Sequence, residues 1–254
     1  MAEKASELVQ IHSTDHLETL RRCGGYYERL KGNSGKLLGP LVGYTGTYSD
    51  ANFKAKQWVG DVYANFAMAE QYPPVLFHFA RQMEAGLGAV IDLIDVFCGA
   101  PLGGYDFATA LGFTFDRRVI KAEKKVDILA PVGIIDRTFI AFGRHEPKKG
   151  DRVAIVEDVC NNFPTSDKLI ELIKQLDAHV VAIVCFLNRS LTVNNTYYSP
   201  ADSHLALPVV SLVRKPIKEY KQDDLEVAED IVQGNVVWKP KNEWPRLMAA
   251  MKDK

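Results

Sequence analysis

The chain has 254 residues, of which 47% are apolar and 25% charged, and its 31 basic and 32 acidic residues leave a formal net charge of −1. That length can bury a substantial core, and the balanced charge excludes a strong whole-molecule pull on nucleic acid or on an anionic membrane. No apolar run approaches the length of a transmembrane helix and the first residues lack a signal-peptide core, so a cytoplasmic protein is expected.

In chain order, residues 5–31 carry Leu8, Ile11, Leu17, Leu20 and Leu30 at loosely helical spacing and predict a helix. From Gly32 to Gly60 the chain is rich in Gly, Tyr, Ser and Asn and reads as turns and short irregular strands, a small cap beside the core. Residues 72–88, YPPVLFHFARQMEAGLG, form a helix with Pro74 at its first position. VIDLIDVFCGA (90–100) has the character of a buried strand ended by Gly99, and GYDFATALG (104–112) that of a short helix stopped by Gly112. RRVIKAEKK (117–125) suggests a strand running into a charged loop, and DRVAIVED (151–158) a second buried strand. SDKLIELIKQLDA (166–178) is an amphipathic helix, HVVAIVCFL (180–188) a continuous apolar strand, PVVSLVRK one more strand, and KNEWPRLMAAM a short amphipathic end.

Apolar strands separated by helices predict an α/β protein with a parallel sheet covered by helices on both faces, and 151–188 is a βαβ unit. Three segments follow: an N-terminal helix and irregular cap (1–60), an α/β core (61–215) and a C-terminal extension (216–254). Cys23, Cys98, Cys160 and Cys185 are widely spaced and form no CxxC pair, which favours small buried thiols over a disulfide framework or zinc site.

In open parallel sheets ligands bind beyond the carboxyl ends of the strands. That rim holds Gly99 to Gly104 and Glu157 to Ser166. Two neighbouring carboxylates at a strand end can accept bonds from sugar hydroxyls, and the start of the 166–178 helix offers unpaired N–H groups to a phosphate. The plain structural alternative has Asp158 shaping the turn and Thr165 or Ser166 capping the helix.

The residues match a family at this point. GDRVAIVEDVCNNFPTS, followed by a helix and HVVAIVCFLNRS, resembles the type I phosphoribosyltransferases, and the orotate branch most. DVFCGAPLGGYDFATALG is similar to the family's pyrophosphate loop, VIKAEKKV to its Arg-Lys-x-x-Lys segment, and FLNRS to the strand end whose arginine faces the orotate carboxylate. The resemblance covers roughly residues 60–190 and implies the family's sheet with a small N-terminal hood. It implies that Glu157 and Asp158 hold the ribose hydroxyls of phosphoribosyl pyrophosphate (PRPP). Cys160, Asn161, Asn162, Phe163, Pro164, Thr165 and Ser166 would form the 5-phosphate loop, and Gly99, Ala100, Pro101, Leu102, Gly103 and Gly104 the pyrophosphate loop. Lys121 and Lys124 would be catalytic, neutralising the leaving pyrophosphate, and Arg189 would fork a base carboxylate. Mg²⁺ would be held mainly by PRPP, with no direct protein metal site. Substrates would be PRPP and a pyrimidine base, orotate favoured, with a homodimer as the assembly and no nucleic-acid or membrane partner.

Several positions depart from the family. Where it carries Thr-Thr-Gly-Gly-Ser after the acids, this chain has Asn161 to Thr165; Pro164 has no N–H to give, and Phe163 is expected to resist the positive φ that glycine accepts. A lost bond to a charged group costs about 1.5–3 kcal/mol, roughly ten- to a hundredfold in affinity. Ile120 stands where the family has arginine, and VDILAPVGIIDRTFIAFGRHE replaces its Lys-x-His-Gly loop, leaving Arg137 and His145 as candidate substitutes. A phosphoribosyltransferase fold that has lost catalysis and senses a ligand is the alternative function. No G-x-G-x-x-G follows an early strand, which argues against a dinucleotide-dependent dehydrogenase.

Overall fold

The computed structural model describes residue 4 and residues 14–32, 35–126, 138–200 and 205–251, in two compact units. The second unit, residues 17–68 with 217–254, begins with helix α1 (His16–Arg22) and strands β1 (Tyr26–Glu28), β2 (Leu30–Lys31), β3 (Leu37–Leu38), β4 (Leu41–Ser49), β5 (Ala55–Gly60) and β6 (Val62–Ala64). Of the helix expected over 5–31, residues His16–Arg22 are helical and the chain turns into strand after Cys23, while residues 5–13 lie outside the described set. Gly24, at φ 73°, and Gly25 end it and turn the chain into β1, which pairs antiparallel with β6. The stretch read as irregular holds a nine-residue strand, β4, paired with β5. Glycine hides the pattern there: Gly43 lies under Trp238, whose atoms would meet a Cβ at 3.1 Å.

The first unit, residues 1–16 with 69–216, carries the predicted sheet. It contains α2 (Pro73–Leu87), β7 (Val96–Gly99), α3 (Gly104–Phe115), β8 (Arg118–Val126), β9 (Thr138–Phe142), β10 (Arg152–Cys160), α4 (Pro164–Gln175), β11 (His179–Asn188), β12 (Thr196–Tyr198) and β13 (Ala206–Arg214). The seven strands run in the order β12-β13-β11-β10-β7-β8-β9. The five inner strands are mutually parallel, and both edges are antiparallel. From β7 the chain builds outward through β8 on one side and through β10 and β11 on the other. The β7/β10 boundary is thus the switch point where such sheets open a crevice at their carboxyl ends.

One sheet face packs Val153, Ile155, Ile183 and Cys185 against Leu169, Ile170 and Ile173 of α4. The other takes α3, pressed so closely on β8 that a Cβ at Gly112 would overlap the Val119 side chain. Gly112 is therefore a packing residue and not the predicted stop: α3 runs on to Phe115 and ends at Asp116 in the left-handed region, φ 52°. The predicted charged loop at 121–125 is strand as well, with Ile120 and Ala122 in the core while β9 pairs with residues 122–126. Residues 88–93 form a 3₁₀ turn, and only 96–99 are strand. Asp95 grips Arg152 at 2.8 and 3.0 Å and accepts its backbone N–H at 3.0 Å, which sets β7 beside β10.

After residue 216 the second unit resumes with α5 (Ala228–Val232), β14 (Val236–Val237) and α6 (Trp244–Ala250). Strand β14 lies parallel to β4, so the C-terminal stretch shares a sheet with the N-terminal one. Buried Arg29 ties them, reaching Asp61 at 3.2 Å and Asp230 at 2.9 Å.

Gly112→Ala should cost about 1–3 kcal/mol by overpacking, a fall of roughly 2–4 °C in Tm per kcal/mol. Adding Val119→Ala should recover part of that loss; thermal melts in which the double variant is no better than the single would contradict the helix–strand contact.

Candidate functional site

Two loops meet at the switch point. The first leaves β7 at Gly99 and passes through Ala100, Pro101, Leu102 and Gly103 into α3. Its fold is held by Ala100 N–H to Val156 O at 2.9 Å and Gly104 N–H to Ala100 O at 3.0 Å, and the Pro101–Leu102 peptide is cis. Leu102 is exposed at the tip. Two glycines are required by close approach: a Cβ on Gly104 would overlap the Val156 carbonyl, and one on Gly103 would overlap the Asp158 carboxylate. The backbone of this loop thus lies directly on the acid that ends β10.

The two acids do not point the same way. Successive residues of a strand face opposite sides, so Asp158 continues the Ala154–Val156 side, toward Gly103, while Glu157 continues the Val153–Ile155 side. Asp158 Oδ1 accepts the Val159 N–H at 2.8 Å. Glu157 stands in register with Cys185 of β11. Burial raises its carboxyl well above the usual carboxylate range, the neighbouring Asp158 charge raises it further, and Lys124 partly offsets both. Cys160, hydrogen-bonded to Cys185 and buried, is likewise pushed up, and burial takes Cys98 up to about 12. All four cysteines are free and buried, as the sequence suggests, and such thiols are inert.

The second loop starts at Cys160, whose carbonyl accepts the Arg189 N–H at 2.9 Å, so the half-buried arginine at the end of β11 adjoins it. Asn161 is half-buried and Asn162 exposed. Phe163 does adopt the left-handed conformation that its side chain disfavours, φ 58° and ψ 24°, and Pro164 then opens α4. The expectation that Phe163 would resist a positive φ is corrected here. Its ring is 3% exposed and stacks on Tyr197 with centroids 4.7 Å apart and planes at 24°. A buried aromatic stack contributes about 0.5–1.5 kcal/mol beyond burial, enough to offset a left-handed cost of roughly 1–2 kcal/mol. In the first turn of α4, Thr165 is half-buried, and Ser166 is fully buried with its hydroxyl in no protein hydrogen bond among the described residues.

The lysines divide between the faces of β8, being three residues apart. Lys121 lies over the Tyr105 ring, 5.3 Å from its centroid, with Nζ 3.9 Å from Asp106 in the first turn of α3. Lys124 is exposed and acts on Glu157. Ile120 is 2% exposed, so where the family carries arginine this chain has a core position. His145 is not at this rim. It lines a cleft of about 630 Å³ with Arg118, Arg144, Lys148 and Leu176, beside the start of β8 and the end of α4, at the opposite end of the sheet. Arg137 and residues 127–136 lie outside the described residues. No group of three or more His, Cys, Asp or Glu suited to a metal occurs among the described residues, and none of their helices is long and apolar enough to cross a membrane. Sequence reading missed Tyr197, Tyr105 and Asp106, whose partners lie in other elements.

A parallel α/β sheet with a glycine loop and an acid-ended strand at its switch point has the arrangement in which α/β proteins bind ligands beyond the carboxyl ends of their strands. No family model matches the chain. It is 25% identical over 170 residues to the orotate phosphoribosyltransferase of Caldanaerobacter subterraneus subsp. tengcongensis, covering 67% of this chain and 78% of that one. Over 82 residues it is 30% identical to orotate phosphoribosyltransferase 2 of Mesorhizobium japonicum, 32% of this chain and 38% of that relative. Among solved structures, the orotate phosphoribosyltransferase of Mycobacterium tuberculosis H37Rv aligns over 87% of this chain and 98% of its own, at 15% identity and a TM-score of 0.49. The chain is related to the type I phosphoribosyltransferases.

The raised Glu157 carboxyl makes a stability prediction. A carboxyl whose folded pKa is raised favours folding while protonated and loses that contribution as pH climbs from the unfolded value, about 4.3, through the folded one. Glu157→Gln should therefore leave Tm nearly unchanged at pH 4 and raise it at pH 8, by about 2–4 °C per kcal/mol of relief. A Tm difference independent of pH would contradict the burial of this charge.

Proposed function

We propose that this chain is a phosphoribosyltransferase that joins a ring nitrogen of a pyrimidine base, orotate favoured, to C1 of PRPP. The C1–O bond to pyrophosphate breaks as the C1–N bond forms, the bonding electrons leave on pyrophosphate, and the proton of the ring N–H is released to solvent. The transition state has oxocarbenium character and needs no protein nucleophile, so catalysis consists of positioning and of stabilising the leaving group. The observation that carries this reading is the seating of Gly103 on the Asp158 carboxylate at the switch point. A donor whose pyrophosphate follows the loop would present its ribose diol to Asp158. Lys121, beside the first turn of α3, would meet the growing pyrophosphate charge. Lys124 and Glu157 share the other face, where Glu157 would reach the second hydroxyl at the strand end. The 5-phosphate would sit at Asn161 to Ser166, and Arg189, adjoining Cys160, would fork the base carboxylate.

Asp158 would face a cation carried by PRPP, to which a carboxylate offers an oxygen ligand. When bound, Mg²⁺ neutralises pyrophosphate charge. A homodimer in the cytoplasm completes the reading, on the family resemblance.

The decisive assay follows orotate consumption with PRPP and Mg²⁺. Asp158→Asn should lower kcat/KM by roughly ten- to a hundredfold, as expected for losing one charged hydrogen bond. Gly103→Ala, which forces the loop off the acid, should raise KM for PRPP by a similar factor, about tenfold or more. A folded wild-type protein that turns over neither orotate nor any other base would end this reading in favour of a ligand-sensing role.

A further inference from the structure

Where the resemblance has glycines in the phosphate loop, residues that accept a positive φ freely, this chain has Phe163 at φ 58°. What holds Phe163 there lies elsewhere in the sequence. Tyr197, on the antiparallel edge strand β12, stacks on the Phe163 ring at 4.7 Å. The same tyrosine donates its hydroxyl to Asp167 Oδ1 at 2.6 Å. Asp167 is in the first turn of α4, and its N–H closes that turn on Phe163 O at 3.0 Å. One side chain therefore fixes both ends of the loop: the left-handed residue through its ring and the first helical turn through its hydroxyl. Tyr197 is 6% exposed and packs in the core cluster under α4 with Phe163, Leu169 and Leu207.

Asp167 matters because of its charge. A carboxylate in the first turn of a helix competes for the positive end of the dipole with any anion bound there. Held by the Tyr197 hydroxyl, its Oδ1 is engaged and its rotamer is fixed. Ser166, beside it, keeps a buried hydroxyl outside any protein hydrogen bond among the described residues.

We propose that Tyr197 is a positioning residue for the phosphate end of the donor, a brace that stands in for the missing loop glycines and keeps the Asp167 carboxylate from opposing the anion. This rests on the reading that residues 161–166 receive the 5-phosphate of PRPP.

Two measurements separate the brace from that reading. Amide hydrogen exchange of residues 160–167 in the ligand-free protein tests the brace alone. Tyr197→Leu should speed exchange there by about tenfold, the equivalent of one lost ring stack, while Tyr197→Phe keeps it within about threefold. Unchanged exchange in Tyr197→Leu overturns the brace whether or not PRPP is a substrate. Steady-state kinetics then test positioning. Tyr197→Phe, which frees Asp167, should raise KM for PRPP by about three- to tenfold and leave kcat within about twofold. Asp167→Asn in the Tyr197→Phe background should restore KM. A KM that does not move in Tyr197→Phe, or that Asp167→Asn fails to restore, overturns the positioning role. If the wild type turns over no base, the reading of the loop fails, and the exchange data still decide the brace.

Discussion

The approach of one backbone to one carboxylate organises the rim of this sheet. Gly103 and Gly104 lie so close to Asp158 and to the Val156 carbonyl that no side chain fits between them. That contact joins the ends of β7 and β10, the two strands from which the chain departs in opposite directions. An ionised carboxylate against main chain is favourable only where amide hydrogens, water or a ligand complete its bonding, since a half-satisfied buried charge is costly. Asp158 has the Val159 N–H at 2.8 Å as one such partner. Placing the pair at a switch point, where loops separate, keeps it open to a ligand.

Strand alternation then gives the two acids different chemistry. Adjacent in sequence, Glu157 and Asp158 are assigned by the pleat to opposite faces. Glu157 sits by Cys98, Cys160 and Cys185, whose thiols supply little solvation, and its carboxyl rises accordingly. Asp158 faces the loop. Lys124, on the Glu157 side, limits the shift and couples the ionisation of Glu157 to charge arriving on β8.

How much of this could be read from the sequence depended on whether the signal was periodic. The runs at 151–158 and 180–188 and the helix between them are β10, α4 and β11, because unbroken apolar strands and a broad apolar helix face admit few other readings. The two rim loops followed from the same pattern. Glycine misled twice for one reason: Gly112 and Gly43 serve close packing against Val119 and Trp238, which is a property of the partner and invisible in the local sequence. KAEKK looked like a solvated loop since charged residues on an edge-proximal strand carry no apolar alternation, yet Ile120 and Ala122 are core. His145, read from the sequence as a turn residue and only a candidate substitute for the missing loop, is set at the far end of the sheet by the direction of β9 and β10. The position of Phe163 was the least legible feature, because the partner that stabilises it, Tyr197, is 34 residues on.

That last case bears on how a loop of this kind can change composition. A Thr-Gly-Gly loop encodes its conformation locally, through residues that accept positive φ at little cost. In this chain the loop's left-handed residue is held from a distance, by an edge strand that packs an aromatic ring under the loop and bonds the helix behind it. The two solutions differ in rigidity. Glycine leaves the loop free to sample other conformations, whereas a buried ring stack restricts it, so the ordering entropy that a ligand would otherwise supply is already met in the folded protein. Pro164 acts in the same direction, fixing φ at the first helical position where its missing N–H takes nothing from the helix. What the loop loses is one main-chain donor; Ser166, with a buried hydroxyl still to be engaged, is the neighbouring group able to replace it. The edge strand β12 therefore shapes this loop, although none of its residues resembles the family's motifs.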